Sequence, residues 1–237
     1  MKKLLLILLI SGALLSSGCA GTGDSAAQKY YNEGVSLYEQ EKYEEAMAKF
    51  DKVLEIEPNA EEAWNYKGLI YYDLGYYSEA ITCYDKVISI APNDPNGWYN
   101  KGLVYYDQGN YDGAITCFGK VVSIDSNDAE AKEYLINSWN DKGIELVSLE
   151  RYSEAVSCFN EAIKIAPNDA DLWFNKGYTL GIQGYYQDAI TCFDKVISIN
   201  PNYAEAWYNK GYALELLGRL DEAQPYYQKA RELGLDW

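Results

Sequence analysis

The residues best suited to chemistry in this chain are its cysteines. Four of the five, Cys83, Cys117, Cys158 and Cys192, stand 34, 41 and 34 residues apart, each directly before an aromatic residue. Thiols could form disulfides or bind zinc, but regular spacing opposes both. Positions that recur in stacked helices lie about 8–10 Å apart, whereas a disulfide needs Cα atoms within about 7 Å and zinc needs ligands converging on one point. These four read as small buried hydrophobes. The chain has no histidine, and so lacks the commonest general base and metal ligand. The paired carboxylates Glu44-Glu45 and Glu61-Glu62 fit the first turns of helices, where negative charge complements the helix dipole. The stretch Gln108-Gly109-Asn110-Tyr111-Asp112-Gly113 starts with Gln where a calcium loop needs Asp, and Gly119 stands where its closing Glu belongs. No nucleophile motif or phosphate-binding glycine loop appears. The chain is expected to be neither an enzyme nor a cofactor or metal binder.

Binding chemistry is better represented. Tyrosine occurs 24 times in 237 residues. It offers apolar area with a hydroxyl handle at low entropic cost, and asparagine can pair with an extended peptide backbone. With 36 acidic against 20 basic residues, the formal net charge is -16. That excludes nucleic acid as an expected partner, since phosphate binding needs a basic surface, and favours neutral or basic polypeptide segments.

The elements that must position these residues are repeats. Trp64-Asn65-Tyr66-Lys67-Gly68 returns as Trp98-Tyr99-Asn100-Lys101-Gly102, Trp139-Asn140-Asp141-Lys142-Gly143, Trp173-Phe174-Asn175-Lys176-Gly177 and Trp207-Tyr208-Asn209-Lys210-Gly211. A divergent first copy is Tyr30-Tyr31-Asn32-Glu33-Gly34, and the glycines are 34 residues apart except for 41 between Gly102 and Gly143. A second motif follows each: Tyr43-Glu44-Glu45-Ala46, Tyr77-Ser78-Glu79-Ala80 and Tyr111-Asp112-Gly113-Ala114, then Tyr152-Ser153-Glu154-Ala155, Tyr186-Gln187-Asp188-Ala189 and Leu220-Asp221-Glu222-Ala223. Pro-Asn turns close most units. Trp64, Gly68 and Tyr71 fall on one helical face, as do Ala80, Tyr84 and Val87, with a glycine between the segments. Each unit is therefore a helix hairpin, with Gly68 and Ala80 expected to let its two backbones approach closely.

This pattern resembles the tetratricopeptide repeat over roughly residues 27–237. The resemblance implies an all-α, right-handed superhelical solenoid of six hairpins, whose first helices line a concave groove. Carried over, partner-binding residues are Tyr31, Asn32, Tyr66, Tyr99, Asn100, Asn175, Tyr208 and Asn209, with Tyr72, Tyr106, Asp73 and Asp107 further along. A basic clamp known in the family uses an Asn just after the glycine. Here that place holds Val35, Leu69, Leu103, Ile144, Tyr178 and Tyr212, so that mode of binding is not expected. The family often has Leu before the glycine, where five units here have Lys, read as snorkelling at the groove edge.

The seven extra residues fall at 129–135, beside Ser126-Asn127 in place of the usual Pro-Asn. An extended helix or a loop is expected there, with a hinge between halves spanning 27–128 and 136–237. At the other end of the chain, Lys2 and Lys3 precede the apolar run Leu4–Leu15, too short to span a bilayer but suited to a signal peptide over 1–18. The sequence Leu15-Ser16-Ser17-Gly18-Cys19-Ala20 resembles a prokaryotic lipobox, although Ser16 stands where Leu is usual. It implies lipid attachment at Cys19, a tether over 19–26, and membrane anchorage at the cell envelope. The resulting expectation is an exported protein-interaction scaffold that binds a peptide or protein in a tyrosine- and asparagine-lined acidic groove. Alternatives are a cell-surface glycan-binding lipoprotein and an architectural protein that self-associates through its C-terminal end.

Overall fold

The computed structural model describes residues 25–236, all arranged as helices and short turns. The signal peptide, lipidation site and most of the tether expected before that span lie outside the described residues. Twelve helices pair into six hairpins among the described residues: α1 (Ala26–Glu39) with α2 (Tyr43–Ile56), α3 (Glu61–Asp73) with α4 (Tyr77–Ile90), and α5 (Pro95–Asp107) with α6 (Tyr111–Ile124). The series continues with α7 (Ala129–Ser148) and α8 (Tyr152–Ile165), α9 (Ala170–Ile182) and α10 (Tyr186–Ile199), and α11 (Ala204–Leu216) and α12 (Leu220–Glu232). Among these helices none is long and apolar enough to cross a membrane.

Local chemistry sets the hairpin turns. Gly75, Gly109, Gly184 and Gly218 adopt positive φ at the ends of first helices, which glycine does without steric cost. Each turn is closed by a backbone bond reaching back five residues, such as Tyr76 N–H to Tyr71 C=O at 2.8 Å, the Schellman pattern. Glu41 and Glu150 fill this place in the first and fourth hairpins, both at φ 59°. The Pro-Asn turns and the tryptophans prove to be partners. The indole N–H of Trp64, Trp98, Trp173 and Trp207 donates to the carbonyl of Pro58, Pro92, Pro167 and Pro201, at 2.9–3.1 Å.

Inside each hairpin the helix-crossing glycine makes room for a ring. A Cβ on Gly68 would sit 2.5 Å from Tyr84, and one on Gly143 would sit 2.6 Å from Phe159. At Gly68 and Gly143 the space left by the glycine is filled by the second helix's aromatic side chain, while at Gly211 the Ala223 carbonyl also comes within 3.3 Å of the Cβ position. Tyr84, Phe50, Phe118, Phe159 and Phe193 are fully buried there. The four cysteines before four of these rings are likewise buried and free. Burial pushes the thiols of Cys83, Cys117 and Cys192 up to about 11.

The seven extra residues extend α7 into a continuous helix of 20 residues. Seven residues advance a helix by about 10.5 Å and fall about 20° short of two turns, so nearly the same face is presented twice. The front of α7 keeps the 34-residue register. Ala131 is buried as Ala63 is, and Tyr134 stacks on Phe118 at 5.0 Å as Tyr66 stacks on Phe50 at 5.1 Å. Its rear starts the shifted register, with Gly143 against Phe159. The sequence compensates at this splice. Where the 34-residue register would pair a lysine of the first helix with an aspartate of the preceding one, it has Leu135 and Gly119, and Lys142 pairs instead with Asp112. Leu103, Phe118, Val121, Ala131 and Leu135 form one core across the α6–α7 junction, the most extensively packed of the contacts between successive hairpins.

Candidate binding groove

The first helices form the inner wall of the solenoid. Neighbouring first helices, α1 with α3, α3 with α5, α7 with α9 and α9 with α11, come into contact with one another, a closeness the second helices do not match. Along this wall run two sets of polar rungs, each joining residues 35 apart in sequence. Tyr38 donates its hydroxyl to Asp73 at 3.0 Å, Tyr72 to Asp107, and Tyr106 to Asp141 at 2.6 Å. Burial, reinforced by these carboxylates, holds the three hydroxyls well above the ordinary phenol range, so they remain donors. Asn100 donates to Asn65 at 2.8 Å and Asn175 to Asn140 at 2.9 Å. Asp141 accepts from the preceding hairpin and the adjacent Asn140 from the following one, since α7 carries both registers.

The expected partner-binding residues divide accordingly. Tyr66 is 2% exposed and stacks on Phe50, so it is a core residue and presents no surface to a partner. Asn100 is buried within its asparagine pair, and Asn175 plays the same structural part. Tyr31 and Tyr99 are half-buried, each edge-on to the phenylalanine of its own hairpin. Tyr208 lies parallel to Tyr212 at 6.4 Å. Asn32 is exposed and accepts from Gln28 at 2.9 Å. Asn209 donates to the Glu205 carbonyl at 2.7 Å and borders a cleft on the inner wall. The lysines before the glycines leave the groove edge. Lys67, Lys101 and Lys210 reach back to Asp51, Asp85 and Asp194 on the preceding second helices, so ion pairing is what holds them.

The cleft that Asn209 borders encloses about 340 Å³ between α9 and α11, over α10. Its walls are Tyr178, Ile182, Tyr186, Tyr212 and Leu216. These residues are not among those the sequence suggests for partner binding, although they carry a signal. The residue after the glycine is buried as Leu69 and Leu103, yet exposed as Ile144, Tyr178 and Tyr212; together with Ile182 and Leu216 these are 44–49% exposed. Five residues after the glycine, Asp73 and Asp107 of the early hairpins give way to Ile182 and Leu216 in the last two. A second hollow of about 520 Å³ lies beside Ile144 and is lined by Gln108, Tyr111, Asp141 and Glu145.

Family patterns described as TPR repeat match residues 34–75 and 68–109, and patterns described as tetratricopeptide repeat match 93–168, 170–203 and 192–225. The chain belongs to the tetratricopeptide-repeat family. Among curated proteins none matches it in sequence. Among solved structures it is similar to MamA of AMB-1, with 22% identity over 74% of this chain and 93% of that one, at a TM-score of 0.50. It is equally similar to YrrB, described as a TPR protein with an unusual peptide-binding site, with 22% identity over 78% of this chain and 92% of that one, again at 0.50. Both likenesses are of fold. The outer face of α12, the end considered for self-association, carries the exposed polar residues Asp221, Glu222, Gln224, Gln228 and Glu232.

Proposed function

We propose that this tetratricopeptide-repeat protein is a non-enzymatic interaction scaffold that holds a peptide or protein segment along the inner wall of its solenoid. One observation carries the reading: the wall leaves the large apolar side chains Tyr178, Ile182, Tyr212 and Leu216 exposed around one cleft, with Ile144 exposed in the neighbouring hollow. Contiguous exposed apolar surface on a soluble fold marks interaction sites. The peptide-binding site named for YrrB supports the same use of the fold. The resemblance of residues 15–20 to a lipobox supports export and anchorage through Cys19, with the solenoid displayed at the cell envelope. Two acyl chains on one cysteine would give stable attachment.

A photo-crosslinking amino acid placed at Tyr178 or Tyr212, and in parallel at Thr82 or Thr116 on second helices, tests the groove. The reading expects partner adducts from the first pair and none from the second. Adducts from the second-helix positions alone would overturn it. Intact mass of membrane-extracted protein tests the anchor. A chain beginning at Cys19 and carrying acyl groups is expected, and an unmodified chain beginning elsewhere would refute it.

A further inference from the structure

The inner wall changes character along its length. In its first half the side chains turned to the groove end in carboxylates: Asp73, Asp107 and Asp141, each oriented by a tyrosine hydroxyl. Asp73 also accepts from Tyr43 and Asp141 from Asn140, both at 3.3 Å, and a carboxylate offers about four acceptor positions, so sites remain for a partner's donors. In its second half the wall is the apolar cleft of Tyr178, Ile182, Tyr212 and Leu216. The two zones meet where Asp141 and Glu145 flank Ile144 in the second hollow. Lys67, Lys101, Lys142 and Lys210 do not offset this charge within the groove, because they pair with Asp51, Asp85, Asp112 and Asp194 on the second helices.

We propose that the groove is polarised and takes a polypeptide segment with an apolar anchor at one end and lysine or arginine side chains beyond it, the anchor seated in the α9–α11 cleft and the cations over Asp107, Asp141 and Glu145. This deepens the scaffold reading above and rests on it. Charge complementarity fixes the chemistry of the occupant. An acidic or anionic partner would meet the carboxylate row with repulsion, and a second copy of this chain, with 36 acidic against 20 basic residues, is a poor match. Directly packed helices lie about 8–10 Å apart, which is a lower bound on the step between successive first helices. An extended strand advances about 3.3 Å per residue, so cations spaced by about three residues or more are needed to meet successive carboxylates.

The test uses a fluorescent peptide of about twelve residues, long enough when extended to span up to about four hairpins. It carries a Leu-Ile-Phe block at one end and Lys at every third position, and is made in both block orders. Binding to the purified chain is followed by anisotropy at low and raised salt. At least one order is expected to bind saturably. Ile182→Asn with Leu216→Asn should weaken it about tenfold or more with the salt dependence retained. Asp107→Asn with Asp141→Asn should weaken it at low salt and flatten the salt dependence. All four positions are exposed or half-exposed, and circular dichroism checks that the helices persist. The proposal is overturned if neither order binds, or if binding ignores both pairs of substitutions. If control peptides with Glu for Lys or Ser for the apolar block bind as tightly as the parent and still require Leu216, the polarity is wrong and the groove remains in use. If no peptide, these or a randomised pool, responds to either pair, the scaffold reading falls as well.

Discussion

The helix-crossing glycines allow one substitution to be predicted with opposite signs at two sites. Replacing Gly68 with alanine places a methyl group 2.5 Å from Cε1 and 2.8 Å from Cζ of Tyr84, where ordinary carbon contacts need about 3.5–4.0 Å. The ring has to move by about 1 Å, and it is 1% exposed with Ala80 and Val104 packed around it. Overpacking of this kind costs about 1–3 kcal/mol, while exchanging glycine for alanine inside a helix returns up to about 1 kcal/mol. A net loss of up to about 2 kcal/mol follows. For a chain of this size each kcal/mol corresponds to about 2–4 °C, so Gly68→Ala should melt up to about 8 °C lower. Gly119 is the control: it lies inside α6, and a Cβ there meets nothing within 4 Å. Gly119→Ala should gain about 0.5–1 kcal/mol and melt slightly higher. Thermal and urea denaturation followed by far-ultraviolet circular dichroism measures both. If Gly68→Ala proves as stable as Gly119→Ala, the ring-filled notch is not what the glycine serves.

Other sites give further expectations. Glu150→Gly should stabilise the chain by up to about 1 kcal/mol in urea titrations, because glycine relieves the left-handed conformation at φ 59° that costs other residues about 1–2 kcal/mol. Burial, reinforced by Asp94 and Glu62, pushes the carboxyl of Glu61 up to about 7, above the usual value of about 4.3. The folded state therefore holds this proton more tightly than the unfolded chain, and its contribution to stability is present below about pH 4.3 and lost as pH rises through about 7. Accordingly Glu61→Gln should raise the melting temperature more at about pH 8 than at about pH 5, and an equal effect at both would contradict the assignment. The four buried thiols should resist a disulfide-exchange reagent in the native protein and react on addition of denaturant, since the thiolate is the attacking form and burial suppresses it.

Much of this fold is legible in the sequence because a repeat states each instruction several times. Trp, Gly, Ala and Pro recur at fixed offsets, and a hairpin that cannot bury its faces alone must stack. What the letters do not show is which way a side chain turns once two hairpins meet. Tyr66 and Tyr99 look alike as surface tyrosines of first helices, yet one fills the core and the other lies half-exposed. The pairing of Tyr38 with Asp73 depends on the offset between neighbouring helices, which no single hairpin encodes. Lysine before the glycine reads as a solvated edge until its partner, 16 residues earlier on another helix, is in view. The apolar cleft is hidden for a related reason. At Tyr178 and Tyr212 the family pattern points to a missing asparagine and says nothing of the ring that stands there, and the change from aspartate to Ile182 and Leu216 five residues after the glycine reads as ordinary repeat variation.

Because α7 closes the core of the first three hairpins with its front and opens the fourth with its rear, the chain has a natural place to be cut, and it is not between hairpins. A fragment ending at residue 128 would leave Leu103, Phe118 and Val121 without the Ala131 and Leu135 that cover them, and should expose a sticky end. A fragment ending at residue 148 keeps that cover and should be the more soluble and cooperative piece. The complementary fragment cannot be made equally well, since any cut that preserves the fourth hairpin takes the lid from the third. One helix is owned by both halves, so they are not modules that evolution or an engineer could exchange without copying α7 twice.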